Sequence, residues 1–391
     1  MTDRPKNIAV LGSTGSIGRN TLEVIAASEG RLRAVALSAN GSTELLLQQA
    51  RAVRPRKIAA SDTAAAARQD WATLPKDVEL LTGPDALLKL AADADVDIVV
   101  SAIVGSAGLR STWAAIEAGK TVALANKESL VVGGPLVMDL ARRKNVKILP
   151  VDSEHSAVFQ ALQAGKPEEV RRIILTASGG PFRTCSSLQL AQVTVADALS
   201  HPTWAMGPKI TVDSATLMNK ALEIIESRWL FNLRADQISV VIHPQSIVHS
   251  MVEYRDGSVM AQMSQPDMRL PIQYALLWPE RREGVAARLD WGRSLDLRFD
   301  PPDLERFVAI RLGLEAAAAG GTAGAAVNGA NEAAVAAFLA GRLRFDAIVR
   351  VCKTVLENHN FDPTPTLEQA FDVDRWARQE VERWITNMPS V

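Results

Sequence analysis

The chain has 391 residues, more than a single hydrophobic core usually supports, and this length predicts two or three domains. Hydrophobic residues make up 47% and charged residues 22% of the chain, a composition typical of globular proteins rather than disordered ones. The 43 Lys and Arg residues balance 44 Asp and Glu residues, which argues against a basic surface for nucleic acid or anionic lipid.

The cysteine content and the first residues predict a cytoplasmic protein. Cys185 and Cys352 are far apart in sequence, which excludes a disulfide framework and fits a reducing compartment. The polar N-terminus "MTDRPKN" has no secretory apolar segment. The longest apolar region, residues 315–341, is interrupted by polar residues and glycines, so it predicts a pair of small-residue helices rather than a membrane span.

The first motif is a glycine-rich turn between an apolar strand at residues 8–11 and a helical pattern. Its glycines are Gly12, Gly15 and Gly18. Glycine lets the backbone approach a pyrophosphate, and a helix N-terminus supplies N–H groups and positive potential. The alternative is a tight strand–helix turn that needs small residues for packing. The strand–turn–helix context favours a dinucleotide-binding site.

The second strand, residues 33–42, favours NADP(H) over NAD(H). NAD sites usually place an Asp or Glu at the end of this strand to bind the ribose 2′-hydroxyl. Residues 38–42 contain no acid, so nothing there repels a 2′-phosphate. They contain no Lys or Arg either, so the preference follows only from the missing carboxylate.

More strand–helix units follow and predict a parallel sheet covered by helices on both faces. Asn126, Lys127 and Glu128 come directly after one of these strands, at the sheet edge where ligands of such folds bind. For Lys127 and Glu128 an ordinary charge pair in a first helical turn is an equally good interpretation.

Asp152 and Glu154 follow the apolar residues 148–151. In an extended segment, residues two apart point to the same side, so both carboxylates would face one cation such as Mg²⁺ or Mn²⁺. Alternatively Asp152 or Ser153 caps the following helix, and Glu154 complements its dipole. This stretch alone slightly favours the helix start.

Two further segments carry candidate contacts. Ser178 lies in "TASGGPFR", which predicts either a plain turn or a phosphate-binding loop. His201, Trp204 and Met206 lie between prolines and a glycine, in a segment that predicts a lid over a ligand or a loop packed on the core.

A helix predicted from Ala215 onward presents Asn219, Glu223 and Glu226 on a face different from its apolar stripe. Asp213 or Ser214 would cap it. Spacing alone does not choose between the two glutamates.

The remaining sequence predicts a β-hairpin with a turn at residues 255–258, whose exposed apolar strands suggest a dimer interface, and helices from residue 304 onward. His243 and His249 lack metal-ligand spacing and are predicted to be structural. The fold class is therefore α/β, with an N-terminal Rossmann-like doubly wound parallel sheet, a central α+β catalytic and dimerisation domain and a C-terminal helical domain. The predicted divisions are residues 1–150, 151–277 with a flexible loop at about 198–209, a connector at 278–303, and 304–391.

Eight motifs, taken in order, resemble those of the 1-deoxy-D-xylulose 5-phosphate reductoisomerases of the non-mevalonate isoprenoid pathway. They are "LGSTGSIG", "ANKESLV", "VDSEHSA", "SGGPF", "HPTWAMG", "VDSATLMNKALEIIE", "HPQSIVHSMVE" and "NGANEAAVAAF". Each motif is weak alone, but eight in order over nearly the whole chain are specific. In this family Gly41 and Ser42 often have a basic residue and an Asn in their place.

The resemblance implies an NADP-dependent oxidoreductase that uses NADPH and one divalent cation, Mg²⁺ or Mn²⁺, and forms a homodimer. It implies conversion of 1-deoxy-D-xylulose 5-phosphate to 2-C-methyl-D-erythritol 4-phosphate by rearrangement and reduction. The implied metal ligands are Asp152, Glu154 and Glu223, and the implied catalytic residues are Lys127, Glu154 and Glu223. The implied substrate contacts are Lys127, Ser153, Glu154, Ser178, His201, Trp204, Met206, Ser214, Asn219, Lys220 and Glu223. The cofactor candidates are Thr14, Gly15, Ser16, Ile17, Asn40, Gly41, Ser42, Asn126, Glu128, Gly207 and Met268.

Two other functions are compatible with the same cofactor motif. One is a metal-independent reductase of a semialdehyde or imine, and the other is a non-catalytic NADP-binding sensor. Activity that depends on a divalent cation would distinguish the reductoisomerase from the metal-independent reductase. Loss of function on substitution of Asp152 and Glu223 would distinguish it from the non-catalytic sensor.

Overall fold

The computed structural model describes residues 4–200 and 206–387, and the chain forms two compact units. The first unit comprises Met1–Asn126, Val137–Ser156 and Asp267–Ala287. The second comprises Lys127–Leu136, Ala157–Pro266 and Arg288–Val391. Each unit is thus built from segments distant in sequence, whereas the sequence-based division uses continuous ranges and stays a prediction.

The first unit contains a seven-stranded sheet in the order β4-β3-β2-β1-β5-β6-β7. Its strands are β1 (Lys6–Leu11), β2 (Leu32–Ala39), β3 (Lys57–Ala60), β4 (Glu79–Thr82), β5 (Ile98–Ser101), β6 (Thr121–Leu124) and β7 (Ile148–Pro150). All neighbouring strands pair in parallel. The central strand is an unbroken apolar run because both its faces are covered, and residues 8–11 are completely buried. The predicted doubly wound parallel sheet is confirmed.

Residues 4–161 contribute seven α-helices. They are α1 (Ser16–Ala26), α2 (Thr43–Val53), α3 (Thr63–Arg68), α4 (Asp85–Ala91), α5 (Gly108–Glu117), α6 (Glu128–Lys144) and α7 (Ser153–Ala161). Helix α6 is kinked at Gly133, whose φ and ψ of −119° and 16° are not helical. The kink lies just before Pro135, which lacks an N–H donor and would clash with the preceding turn of a regular helix.

The second unit contains a four-stranded mixed sheet in the order β11-β10-β8-β9. Its strands are β8 (Val170–Ala177), β9 (Ile238–Ile242), β10 (Val248–Tyr254) and β11 (Val259–Met263). Strands β8 and β9 are parallel, while β10 is antiparallel to both β8 and β11. The β10–β11 connection is the hairpin that the sequence predicts, and it leaves β11 at the edge of the sheet.

Nine further helices complete the described chain. They are α8 (Ser187–Leu190), α9 (Val195–Ala198), α10 (Pro208–Thr216), α11 (Met218–Leu230), α12 (Arg269–Leu277), α13 (Ala309–Ala319), α14 (Ala323–Leu339), α15 (Ile348–Asn358) and α16 (Leu367–Thr386). Helices α13 and α14 are the predicted small-residue pair. A Cβ atom at Gly329 of α14 would lie 2.2 Å from the carbonyl oxygen of Asp374, so glycine permits the close approach of α16. No helix in the described ranges is long and apolar enough to span a membrane.

The prediction of one helix starting at Ala215 is wrong. Leu217 has a φ of +61°, which separates α10 from α11, so Asp213 and Ser214 lie inside α10 rather than capping a single helix. The left-handed conformation is uncommon for leucine, and the apolar period continues across the break, so the sequence does not signal it.

Candidate active site

The glycine turn joins β1 to α1 in a shape that only small residues allow. Gly12 has a φ of +85°, and a Cβ atom there would lie 2.6 Å from the carbonyl oxygen of Ala102. A Cβ atom at Gly18 would lie 2.3 Å from the carbonyl oxygen of Gly12. Gly15 is different, since it is exposed and its Cβ would come only within 3.4 Å of Gly12. Packing therefore explains Gly12 and Gly18, whereas it leaves room at Gly15, where α1 begins.

Hydrogen bonds hold this turn against the end of β2. The buried Ser13 hydroxyl donates to Gln49 Oε1 at 2.7 Å, and Gln49 Nε2 donates to the Ser13 carbonyl at 2.9 Å. The Gly12 amide donates to Ser38 Oγ at 3.1 Å. Ser13 is thus engaged within the fold, while Ser16 is exposed at the helix start.

Asn126 supports the loop after β5. Its side-chain amide donates to the carbonyl oxygens of Ile103 and Gly105 at 2.6 and 2.9 Å. The side chain is buried, and a Cβ atom at Gly108 would lie 2.8 Å from it. Asn126 therefore shapes the sheet edge next to the glycine turn.

Asp152 and Glu154 occupy a strand end that is also a helix start. Asp152 Oδ1 accepts from the Glu154 amide at 3.3 Å, as a capping side chain does, and α7 begins at Ser153. The Ser153 hydroxyl donates to Glu154 Oε2. His155 is completely buried, with Nδ1 3.5 Å from Asp152 Oδ1. Both carboxylates are half-buried, so the capped helix start and a carboxylate site occur together.

In the second unit a buried cluster surrounds Glu223. Lys127 Nζ lies 2.6 Å from Asn219 Oδ1 and 3.3 Å from Glu223 Oε1. Lys220 Nζ contacts Glu223 Oε2, and the Asn219 amide donates to Oε1 of the same carboxylate. Lys127, Lys220 and Glu223 are at most 5% exposed. Buried charges need partners, and two lysines contact this carboxylate.

A second buried cluster lies directly beside the first along the chain. Lys209 Nζ is 3.0 Å from Glu128 Oε1 and 2.9 Å from Asp213 Oδ2, and Asn331 Nδ2 donates to Asp213 Oδ1 at 2.8 Å. Burial disfavours the ammonium, but Asp213 and Glu128 outweigh it and raise the pKa of Lys209. Burial likewise opposes ionisation of Glu128, but Lys209 outweighs it and lowers the pKa of that carboxyl. Lys209 and Glu128 are therefore both held in ionised form.

The turn after β8 contacts α10 next to Ser214. Gly180 has a φ of +67°, and a Cβ atom there would lie 2.8 Å from the Ser214 carbonyl oxygen. Ser178 Oγ accepts from the Gly180 amide at 3.2 Å. The structure therefore brings together the two serines that the sequence places in different motifs.

Comparisons with known proteins cover nearly the whole chain. Family models match at residues 8–134 (1-deoxy-D-xylulose 5-phosphate reductoisomerase), at 148–231 (the C-terminal domain of that enzyme) and at 263–380 (DXP reductoisomerase C-terminal domain). A 1-deoxy-D-xylulose 5-phosphate reductoisomerase from Heliobacterium modesticaldum is 54% identical over 376 residues, which are 96% of each chain. The chain belongs to this reductoisomerase family.

Solved structures of family members have the same fold. A reductoisomerase from Zymomonas mobilis in complex with NADPH matches with a TM-score of 0.91 and 42% identity, over 98% of this chain and 100% of the other. A second reductoisomerase, in complex with NADPH, fosmidomycin and magnesium, matches with a TM-score of 0.91 and 41% identity, over 97% and 98% of the chains. The resemblance expected from the eight sequence motifs is confirmed.

Not every residue predicted from the family motifs has a described position. His201 and Trp204 lie outside the described residues, while Met206 is half-buried just before α10 and Gly207 is the N-cap of that helix. Met268 is the N-cap of α12 in the first unit. For these residues the roles implied by the family remain predictions.

Sequence reasoning missed Lys209 and Asn331. The i, i+4 spacing of Lys209 and Asp213 was a usable signal once α10 was placed correctly. No local signal exists for Asn331, because it contacts Asp213 from a helix 118 residues away. His243 is structural, as predicted: its Nε2 accepts from the Ile247 and Val248 amides at 3.2 and 3.1 Å.

Proposed function

We propose that this chain converts 1-deoxy-D-xylulose 5-phosphate to 2-C-methyl-D-erythritol 4-phosphate by rearrangement and NADPH-dependent reduction. The observation that carries the proposal is the 54% identity to a reductoisomerase over 96% of both chains. At this level of identity, we expect this chain and its relative to share the glycine turn and the buried polar clusters. The reaction is that of an NADP-dependent oxidoreductase in isoprenoid precursor biosynthesis.

We propose that NADPH binds at the carboxyl edge of the parallel sheet. The exposed Gly15 and Ser16 at the start of α1 support a pyrophosphate position there, because α1 has no side-chain cap and no acid in its first turn. The lack of an acid after β2 supports a 2′-phosphate. The proposed cofactor contacts are Thr14, Gly15, Ser16, Ile17, Asn40, Gly41, Ser42, Asn126, Glu128, Gly207 and Met268.

We propose that one Mg²⁺ or Mn²⁺ is held by Asp152, Glu154 and Glu223. The donor set fits a hard cation, since all three ligands are carboxylates and two of them stand two residues apart. The acid chosen on α11 is Glu223 rather than Glu226, as the resemblance to the family motifs implies. When bound, such a cation acts as a Lewis acid toward carbonyl and hydroxyl oxygens of the substrate.

The other polar residues of the proposed site bind and orient the substrate. Lys220 and Asn219, with Ser178 and Ser214, supply positive charge and hydrogen bonds for the substrate phosphate. Lys127 and Ser153 lie near the reacting carbons in this assignment, and Glu154 or Glu223 moves a proton during the rearrangement. Residues 201–206, with His201, Trp204 and Met206, are proposed to exclude water once substrate is bound.

We also propose that the enzyme is a cytoplasmic homodimer. Both cysteines are free thiols, as expected in a reducing compartment. Strand β11 at the edge of the second sheet has exposed side chains at Val259 and Met260, 48% and 42% accessible. Pairing with the same strand of a second copy would bury this apolar edge.

The deciding experiment follows NADPH oxidation with 1-deoxy-D-xylulose 5-phosphate as substrate, with Mn²⁺ or Mg²⁺ present and after exhaustive chelation. We expect oxidation only with the cation, and 2-C-methyl-D-erythritol 4-phosphate as the product. Absence of NADPH oxidation under saturating metal would refute the proposal. Activity that survives chelation would instead indicate a metal-independent reductase.

A further inference from the structure

The proposed NADPH site lacks an evident partner for the cofactor's 2′-phosphate. The segment after β2, Asn40 to Ser42, is exposed and carries no cation. A phosphate carries nearly two negative charges and normally pairs with Arg or Lys. The charge should therefore come from a part of the fold that sequence proximity does not reveal.

A cavity of about 570 Å³ opens directly beside this segment, within the first unit. Its lining residues are Gly41, Ser42, Thr43, Glu44, Leu45, Gln48, Ala65, Arg68 and Gln69. Arg68 is the only cation among them, and it comes from the end of α3 rather than from β2 or α2. The cavity thus adjoins the end of β2, where a dinucleotide's adenosine ribose lies in this fold class.

The backbone of Arg68 is held in place beside the start of α2. Asp62 caps α3 by accepting from the Ala64 and Ala65 amides at 2.9 and 3.0 Å. Immediately after Arg68, Gln69 Oε1 accepts from the hydroxyl of the buried Thr43 at 3.1 Å, which links the end of α3 to the first residue of α2.

The Arg68 side chain is available for a ligand. It is exposed and takes part in none of the ion pairs found among the described residues. Ser42 is the N-cap of α2 and makes no capping hydrogen bond with its side chain, so its hydroxyl is also available. The carboxylate of Glu44, in the first turn of α2, repels an anion in this cavity. A phosphate that binds there therefore needs the positive charge of the guanidinium.

We propose that Arg68, together with Ser42, binds the 2′-phosphate of NADPH and sets the preference of this chain for NADPH over NADH. The inference rests on the proposed use of NADPH and adds the residue that selects it. Arg68 supplies from α3 the positive charge that the segment after β2 lacks. A guanidinium binds a phosphate through two parallel N–H donors, which suits this position.

The test measures the dissociation constants of NADPH and NADH by calorimetry on the full chain. Arg68→Ala should weaken NADPH binding by about 10- to 100-fold, as expected for the loss of a charged hydrogen bond, and leave NADH within about twofold. Arg68→Lys should recover part of the affinity. Glu44→Gln should tighten NADPH binding and leave NADH unchanged. Arg33→Ala, which removes an exposed cation elsewhere on β2, is the matched control and should change neither constant.

The outcomes separate this inference from the proposed function. If wild-type protein prefers NADPH and Arg68→Ala keeps that preference, the role of Arg68 is refuted while the proposed reaction stands. Equal losses for NADPH and NADH in Arg68→Ala also refute it, because a 2′-phosphate contact cannot affect NADH. If wild-type protein binds both cofactors equally well or binds neither, the proposed NADPH dependence fails together with this inference.

Discussion

The packing of the turn after β1 requires glycine at some of its positions but not at all of them. Gly12 and Gly18 are required by the fold, because a side chain at either position would collide with main-chain atoms. Gly15 is not required in this way, since its φ is −72° and its surroundings are open. A glycine at a position where a side chain would fit supports the proposed close approach of the cofactor pyrophosphate to the backbone.

Gly15→Ala should therefore weaken NADPH binding by about tenfold or more, because the added methyl group obstructs a close backbone contact worth at least one charged hydrogen bond. Stability should stay within about 0.5 kcal/mol of wild type, as for other exposed positions. Gly18→Ala is the comparison, and it should destabilise the protein by about 1–3 kcal/mol through overpacking. Urea unfolding and NADPH titration of both variants measure the stability and the affinity. Normal NADPH affinity in Gly15→Ala would contradict the proposed pyrophosphate contact.

The proposed metal ligands Asp152, Glu154 and Glu223 provide a second test, because a bound cation should stabilise the folded protein. Mn²⁺ should raise the melting temperature of wild-type protein and slow amide hydrogen exchange in residues 152–156, since a ligand that binds the folded state stabilises it. Glu223→Gln should abolish both effects. The control is Glu168→Gln, an exposed acid that should leave them intact. Equal protection with and without Mn²⁺ in wild-type protein would count against the metal assignment.

At the scale of elements, α10 connects several parts of the second unit. Its Lys209 pairs with Glu128, the residue after Lys127, and with Asp213, which Asn331 of α14 also contacts. The same helix carries Ser214, next to the turn that contains Ser178. Helix α10 is thus anchored by buried charge on one side while it presents a proposed substrate contact on the other.

Lys209→Met should destabilise the protein by about 3–5 kcal/mol at neutral pH, because it leaves two buried carboxylates without their cation. The loss should shrink as the pH falls, because Glu128 lacks the cation that lowers its pKa and takes up a proton more easily. Urea unfolding at neutral and mildly acidic pH measures both effects, and Lys209→Arg, which keeps the charge, is the control. A loss that does not depend on pH would show that packing, not charge, is responsible.

The shifted pKa values also define the pH window of this cluster in wild-type protein. The pKa of Lys209 is raised, so its contribution to stability is complete below the ordinary lysine pKa and is lost as pH rises through the raised value. The pKa of Glu128 is lowered, so its contribution is present above the ordinary glutamate pKa and is lost as pH falls through the lowered value. The cluster therefore stabilises the fold throughout the neutral range.

At the scale of the whole molecule, the described chain leaves one sheet with an apolar edge. Strand β11 pairs with β10 on one side only, and its first residues are exposed. Exposed edges of this kind promote association, and natural proteins usually cover or charge them. This is the physical basis for the proposed homodimer.

Replacing Val259 and Met260 by lysine should convert the protein to a monomer, because charged side chains on an edge strand oppose pairing with a second copy. Light scattering coupled to size-exclusion chromatography measures the mass. Val285→Lys, at another exposed apolar position, should keep the mass of the wild type. A wild-type protein that is already monomeric would contradict the proposal, and so would a double variant that keeps the dimer mass.

The sequence predicted the larger elements well because their signals are local. The apolar strands and the glycines of the first unit, the β10–β11 hairpin and the Ala-rich helices all follow from patterns within about twenty residues. The break at Leu217 was not predicted, because the left-handed conformation of one leucine depends on how α10 and α11 pack. The cluster of Lys209, Glu128, Asp213 and Asn331 was missed for a similar reason, since its members come from three separate segments.

The sequence by itself determined the fold class, the order of the family motifs and the residue types available for chemistry. It left open whether Asp152 and Glu154 start a helix or form a carboxylate site, and the structure shows that one strand end does both. Only the tertiary structure decided that Lys127 meets Asn219 and Glu223, and that Arg68 lines the same cavity as the segment after β2. The physical reason is that propensity and periodicity act over short stretches, whereas charge pairing and ligand cavities depend on distances between segments that only folding brings together.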